Sequence, residues 1–225
     1  MSKKINKVIK TLIASNFFLS SGWGLLAPVF AIFLVENIAV GSTAEGAKIA
    51  GYAALIFWVL KSILQIPISK YVDNTKGEKD DFWFMTIGTF IGGLVPFGFL
   101  LSYLPWHIYA LQAVWAVAMA MLVPSRNAVF SRFLDKGREA FAWGIDSTIM
   151  GLGTGICGAF GGLIVALFGF RAVFFFAGIG TMLSALLLLV THKHIHPADG
   201  YFPDFFPSFP KKIKTKKDKI VRPPF

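Results

Sequence analysis

Charge is what this 225-residue chain has least of: 15% of its residues are Asp, Glu, Lys or Arg, against roughly 25% in an average soluble domain. With 55% hydrophobic residues and a mean hydropathy of +0.64, that shortage excludes a soluble globular domain. Cysteine is scarcer still. The single one, Cys157, leaves no disulfide framework within the chain. Acidic residues number 12 against 22 Lys and Arg. None sits inside an apolar stretch away from its ends, since Glu36 and Asp146 are terminal, so an obvious intramembrane proton carrier is missing. GxSxG, HExxH and paired intramembrane carboxylates are absent too, which removes the usual chemistry of an intramembrane enzyme.

What is present is a series of long apolar runs, read here as six: 11–35, 49–69, 82–103, 106–125, 147–170 and 172–191. A membrane-spanning helix needs about 20 such residues, and spanning strands would be about half that length with strict alternation. These runs are apolar on every face, and in lipid only helices then satisfy the backbone. The fold expected is all-α and integral to the membrane: a bundle of six transmembrane helices. The first run is far longer than the apolar core of a signal peptide and no small-residue cleavage site follows it, so it is expected to stay in the chain.

Basic residues orient the bundle. Lys3, Lys4, Lys7 and Lys10 precede run one; Lys70, Lys76 and Lys79 separate runs two and three; Arg126, Arg132, Lys136 and Arg138 separate four and five. The opposite side holds only Lys48 and Arg171. The bias predicts both termini in the cytoplasm, in what is expected to be the cell membrane. The division expected is a cytoplasmic segment over 1–10, the six-span domain over 11–192, and a basic, Pro- and Phe-rich cytoplasmic tail over 193–225. The net charge of +10 follows from topology and attraction to anionic headgroups, so no nucleic-acid partner is expected; membrane lipid is.

Three motifs occur in order. SKYVDNTKGEKDD, between runs two and three, resembles the G-x-x-x-D-x-x-G-[RK]-[RK] loop of the major facilitator superfamily, with Asp73, Gly77 and Lys79 in the matching places, Ser69 for the first glycine, and one extra residue before Gly77. The stretch from Tyr109 to Gly144 resembles that family's fourth span and loop through Gln112, Pro124 and Gly137-Arg138-Glu139, with Tyr109 where the family often has an arginine. MGLGTGICGAFGGLIVALFGFR resembles its glycine-rich fifth span through Gly153, Gly161 and Gly162, with Cys157-Gly158 replacing a Gly-Pro pair. The resemblance implies a half-length transporter of a small-molecule solute by alternating access. Its two halves are parallel repeats, so the missing half is expected to be a second copy in a homodimer or a separately encoded six-span half. The competing expectations are a non-transporting scaffold or accessory subunit and, behind it, a lipid-modifying enzyme of the phosphatase kind, for which the histidines lie in the wrong segments.

The resemblance also implies that spans one and four line the central cavity, with two and five flanking it. Candidate substrate contacts are then Asn16, Ser20 and Trp23 on span one, Lys61 and Gln65 on span two, and Gln112 and Trp115 on span four. Lys61 stands out on cost alone, because a cation near mid-membrane costs at least about 2.5 kcal/mol and normally faces a wet cavity. An anionic substrate group or a partner carboxylate would suit it. Snorkelling is the alternative, and ordinary interhelical hydrogen bonding the alternative for the polar residues. Asp73, Gly77 and Lys79 are expected to form a gating latch. Gly151, Gly153, Gly155, Gly158, Gly161 and Gly162 read as helix packing or a gating hinge, Pro28, Pro67, Pro96 and Pro124 as possible kinks, and Asp146 as a partner for the basic loops. His192, His194 and His196, at i, i+2 and i+4, spread around a helix, so no metal site and no cofactor are expected.

Overall fold

The computed structural model describes residues 7–74 and 78–191, with the backbone alone at 78–80 and 191. Gly77, the side chain of Lys79, the three tail histidines and the 193–225 tail fall outside the described residues. Within them the chain is helical throughout, with no strand. Six α-helices follow in order: α1 (Lys7–Leu26), α2 (Phe30–Phe33), α3 (Thr43–Asn74), α4 (Glu78–Phe99), α5 (Pro105–Arg132) and α6 (Glu139–Thr191), with a π-helical turn, Leu34–Ile38, closing α2. Four helices are long and apolar enough to cross a membrane, and five if the bent pair of α1 with α2 and the π-turn counts as one.

Run one is the broken one. Its two parts meet at 44° where Pro28 interrupts the chain, since proline cannot donate the backbone hydrogen bond that would carry the helix through. Pro67, Pro96 and Pro124 stay inside continuous helices. Helices also outrun the hydropathy: α3 extends from Thr43 to Asn74 and α5 to Arg132. Apolar runs mark what lipid covers, whereas helical hydrogen bonding continues into water. Arg126 and Arg132 therefore lie within α5, and the connection to α6 spans only 133–138.

At about 1.5 Å per residue the 53 residues of α6 would reach roughly 80 Å, far beyond a bilayer. The chain avoids this at Gly169, whose φ of 78° and ψ of 175° break the helix in a backbone region open essentially to glycine alone. The limbs on either side run in opposite directions along α1. Asn16 meets Asp146, a Cβ on Gly153 would meet Ser21, and one on Gly161 would meet Leu25, so the first limb rises with α1. Ser15 meets Ser184 and Gly22 meets Ala177 and Thr181, so the second limb returns.

The core thus forms around α1, flanked by both limbs of α6, with α4 and α5 completing it through Phe82, Met85, Val95, Phe99, Ile108, Leu122 and Phe130. α3 is peripheral: 11% of its most apolar window is buried, and it reaches the bundle mainly along α5. The end of the bundle holding the connections after α3 and α5 is called the basic end below; Gly169 marks the far end.

Candidate functional site

An aromatic column crosses from α1 to α3. Trp23 stacks on Trp115 of α5 with centroids 3.9 Å apart and planes 18° apart, and Trp115 in turn lies 6.3 Å from Phe57 at 16°. Gly92 of α4 makes room, for a Cβ there would lie 2.4 Å from the Trp115 ring. Lys61 caps the column, its Nζ 4.8 Å from the Trp58 ring centre and 5.7 Å from that of Phe57, both within cation–π range. Among the described residues no carboxylate is within ion-pair distance of Lys61. The Trp23 indole N–H is buried without an acceptor, so the column ends in one ammonium and one free donor.

Of the sequence candidates, Trp23, Lys61 and Trp115 come together here. Gln65 and Ser69 continue from Lys61 along α3, half-buried, but Ser69 Oγ donates to the Gln65 carbonyl oxygen at 2.7 Å and so satisfies itself within the helix. Ser20 and Gln112 are half-buried. Asn16 is elsewhere: it is 8% exposed and its Nδ2 donates to both carboxylate oxygens of Asp146 at 3.3 Å.

That contact belongs to a polar cluster nearer the basic end, where Arg126 Nη2 donates to Asp146 Oδ1 at 2.5 Å. Side-chain exposures of 12% and 7% make this a nearly buried ion pair. It ties α5 to α6, and Asn16 adds α1. The guanidinium also lies 5.4 Å from the Phe130 ring centre, while its Nε has no partner. A void of about 10 Å³ beside it, lined on its polar side by Ser15, Asn16, Thr89 and Arg126, is at the lower limit for one water. A second pair, Arg132 with the fully buried Asp81, clamps α5 to α4 at the same end. Asp146 does pair with a basic residue, as its position suggests, but the partner comes from a helix rather than a loop. Arg126 lies four residues before Phe130, so extending the helical period past Pro124 would have shown it.

The glycines divide. Gly153 and Gly161 carry the close packing on α1, and a Cβ on Gly161 would lie 2.1 Å from the Leu25 carbonyl oxygen. Gly158 is at ordinary contact, 3.5 Å from the Gly24 oxygen. Gly151, Gly155 and Gly162, together with Gly144, meet nothing within 4 Å. These glycines thus divide between two faces of the first limb, one packed on α1 and one open. Asp73 is exposed in the last turn of α3.

The bundle is built of lipid-length apolar helices, bent at one proline and folded back at one glycine, and it carries Lys61 against stacked aromatic rings with no ion-pair partner among the described residues. The Major Facilitator Superfamily profile matches residues 12–225, and the chain belongs to that family of transporters. It is 23% identical over 186 residues to an uncharacterized MFS-type transporter, MJ1560, of Methanocaldococcus jannaschii, covering 82% of this chain and 45% of that protein. It is 30% identical over 184 residues to the multi-drug resistance efflux pump PmrA of Streptococcus pneumoniae, covering 77% of this chain and 42% of the pump. The chain therefore spans less than half the length of these relatives.

Proposed function

We propose that these residues form one six-span half of a transporter that moves a small solute by alternating access, working against a second six-span half. Counting the two limbs of α6 separately and the bent α1–α2 pair as one gives the six spans. The observation that carries the reading is the open face. α3 leaves Leu55, Trp58, Ile63 and Ile66 exposed, and the first limb of α6 presents Leu152, Ile156 and Leu163 beside Gly144, Gly151, Gly155 and Gly162. Glycines with empty space before them invite another helix to close range. The capped end of the aromatic column, at Trp58 and Lys61 on half-bare α3, gives that interface something to bind.

In this mechanism the polar clusters at the basic end, which is the cytoplasmic one, keep α1, α4, α5 and α6 together as one rocking unit. Asp73, with Gly77 and Lys79 beyond it, forms the latch that holds the outward-open state. The second half is a second copy of this chain or a distinct six-span half; cysteine crosslinking decides. In a Cys157→Ser background, Leu152→Cys is expected to crosslink across a homodimer axis, and a strictly monomeric product in every lipid and detergent sinks the self-pairing. Flux into liposomes, with and without a proton gradient, tests transport itself. Lys61→Gln is expected to abolish or sharply reduce flux of the solute carried, and Asp73→Asn to slow it and shift the inward/outward balance. A chain that folds, assembles and carries nothing is an accessory subunit instead.

A further inference from the structure

The far end of the bundle holds a groove of about 690 Å³ between the turn that follows α4 and the residues on either side of the Gly169 break in α6, within the size range of ligand sites. Leu100, Leu101, Phe168, Phe175 and Phe176 line it, and Arg171 is its one charged residue. Its floor is fixed. The Phe97 ring inserts where a Cβ on Gly178 would lie 2.5 Å from it, and meets Phe175 edge-on at 6.1 Å. The rim is bare: Leu101 is 76% exposed, Phe168 71%, and Phe175 and Phe176 about half.

Charge marks the occupant. At the far end Lys48 is held by Glu45 at 3.4 Å, whereas no carboxylate among the described residues lies within ion-pair distance of Arg171. Arg171 is exposed two residues past the Gly169 turn, at the end of both apolar limbs of α6, with the phenylalanine groove leading from it along the second limb. A guanidinium binds phosphate oxygens in a two-pronged geometry, and the groove offers an apolar bed for a chain. The aromatic column lies on α1, α3 and α5, so the groove is not part of it.

We propose that this groove is a phospholipid site, with Arg171 taking the phosphodiester and an acyl chain lying along Phe168, Phe175 and Phe176. The test uses the purified full chain, stripped of lipid and then supplied with palmitoyl-oleoyl phosphatidylglycerol, with retained lipid read by native mass spectrometry. Arg171→Gln is expected to lower retention about five-fold, the worth of one basic contact at a charged membrane surface. Lys48→Gln, on the same side but already paired, leaves it unchanged. Thermal melting of each variant shows that the fold is intact. The short headgroup glycerophosphoglycerol, which lacks acyl chains, is expected not to displace the lipid. Equal retention by wild type and Arg171→Gln overturns the proposal, as does full displacement by the headgroup alone, which would make the groove a small-anion site.

Discussion

Removing the Asp146 carboxylate is the sharpest test of how the bundle is held. Asp146→Leu strands Arg126, whose side chain is 12% exposed and whose Nε already lacks a partner, and it frees the Asn16 amide. Breaking a buried pair from one side costs about 3 to 5 kcal/mol. The residual exposure of the guanidinium lets it find water or a headgroup, which places the cost near the lower figure, about 3 kcal/mol. At about 2 to 4 °C per kcal/mol for a chain of this size, the melting temperature in detergent is expected to fall by roughly 6 to 12 °C. Removing both charges, Arg126→Met with Asp146→Leu, leaves no stranded ion and is expected to recover most of that loss. The cycle needs melting curves of wild type, both single variants and the double. If the double variant loses the sum of the singles, the two residues are not coupled and the reasoning fails.

Gly161→Ala places a methyl group 2.1 Å from the Leu25 backbone oxygen, which α1 can relieve only by moving; overpacking of this kind costs about 1 to 3 kcal/mol and shows in the same melting assay. Gly155→Ala meets only open space and gains up to about 1 kcal/mol of helix propensity, so it is expected to leave the isolated unit as stable or more so while weakening association with a second half. At the first residue of α6, outside the lipid-covered stretch, the Glu139 carboxyl is held below its ordinary range by its own backbone N–H and then by that of Gly137, which donates at 2.9 Å. A lowered value means that its contribution is present above the unfolded carboxylate range near about pH 4.3 and is lost as pH falls through the lowered value; NMR titration of the Glu139 side chain is expected to report that midpoint below the value in an unstructured peptide.

Much of this could be read from residue order because lipid imposes a strict requirement. A run of apolar residues in a membrane has almost no choice but to be a helix, so runs two to four and the turn near Gly169 fall where hydropathy puts them. Helix ends do not, because beyond the lipid local hydrogen bonding decides, and that carried Arg126 and Arg132 out of a loop and into α5. The site divides for a similar reason. Packing between α1, α3 and α5 brings Trp23, Trp115 and Lys61 together, whereas Asn16 is taken by Asp146, a partner 130 residues away. Period within one helix shows which residues share a face but not which face meets which neighbour. For the same reason the six candidate glycines between Gly151 and Gly162 could not be divided in advance between the face on α1 and the open one.

The return of the second limb of α6 along α1 has a consequence for how the protein is made. Ser15 and Ser184, which exchange hydrogen bonds between hydroxyls and backbone, lie 169 residues apart in the chain. At roughly 5 to 20 residues per second of synthesis, α1 waits about 8 to 34 seconds in the membrane before its hydroxyl meets its partner, and Asn16 waits for Asp146 nearly as long. During that interval the Ser15 hydroxyl lacks its partner on the second limb, while Trp115 of α5 and Asp146 of the first limb become available earlier. The contact between α1 and the second limb can therefore form only after the first limb and the Gly169 turn have been made.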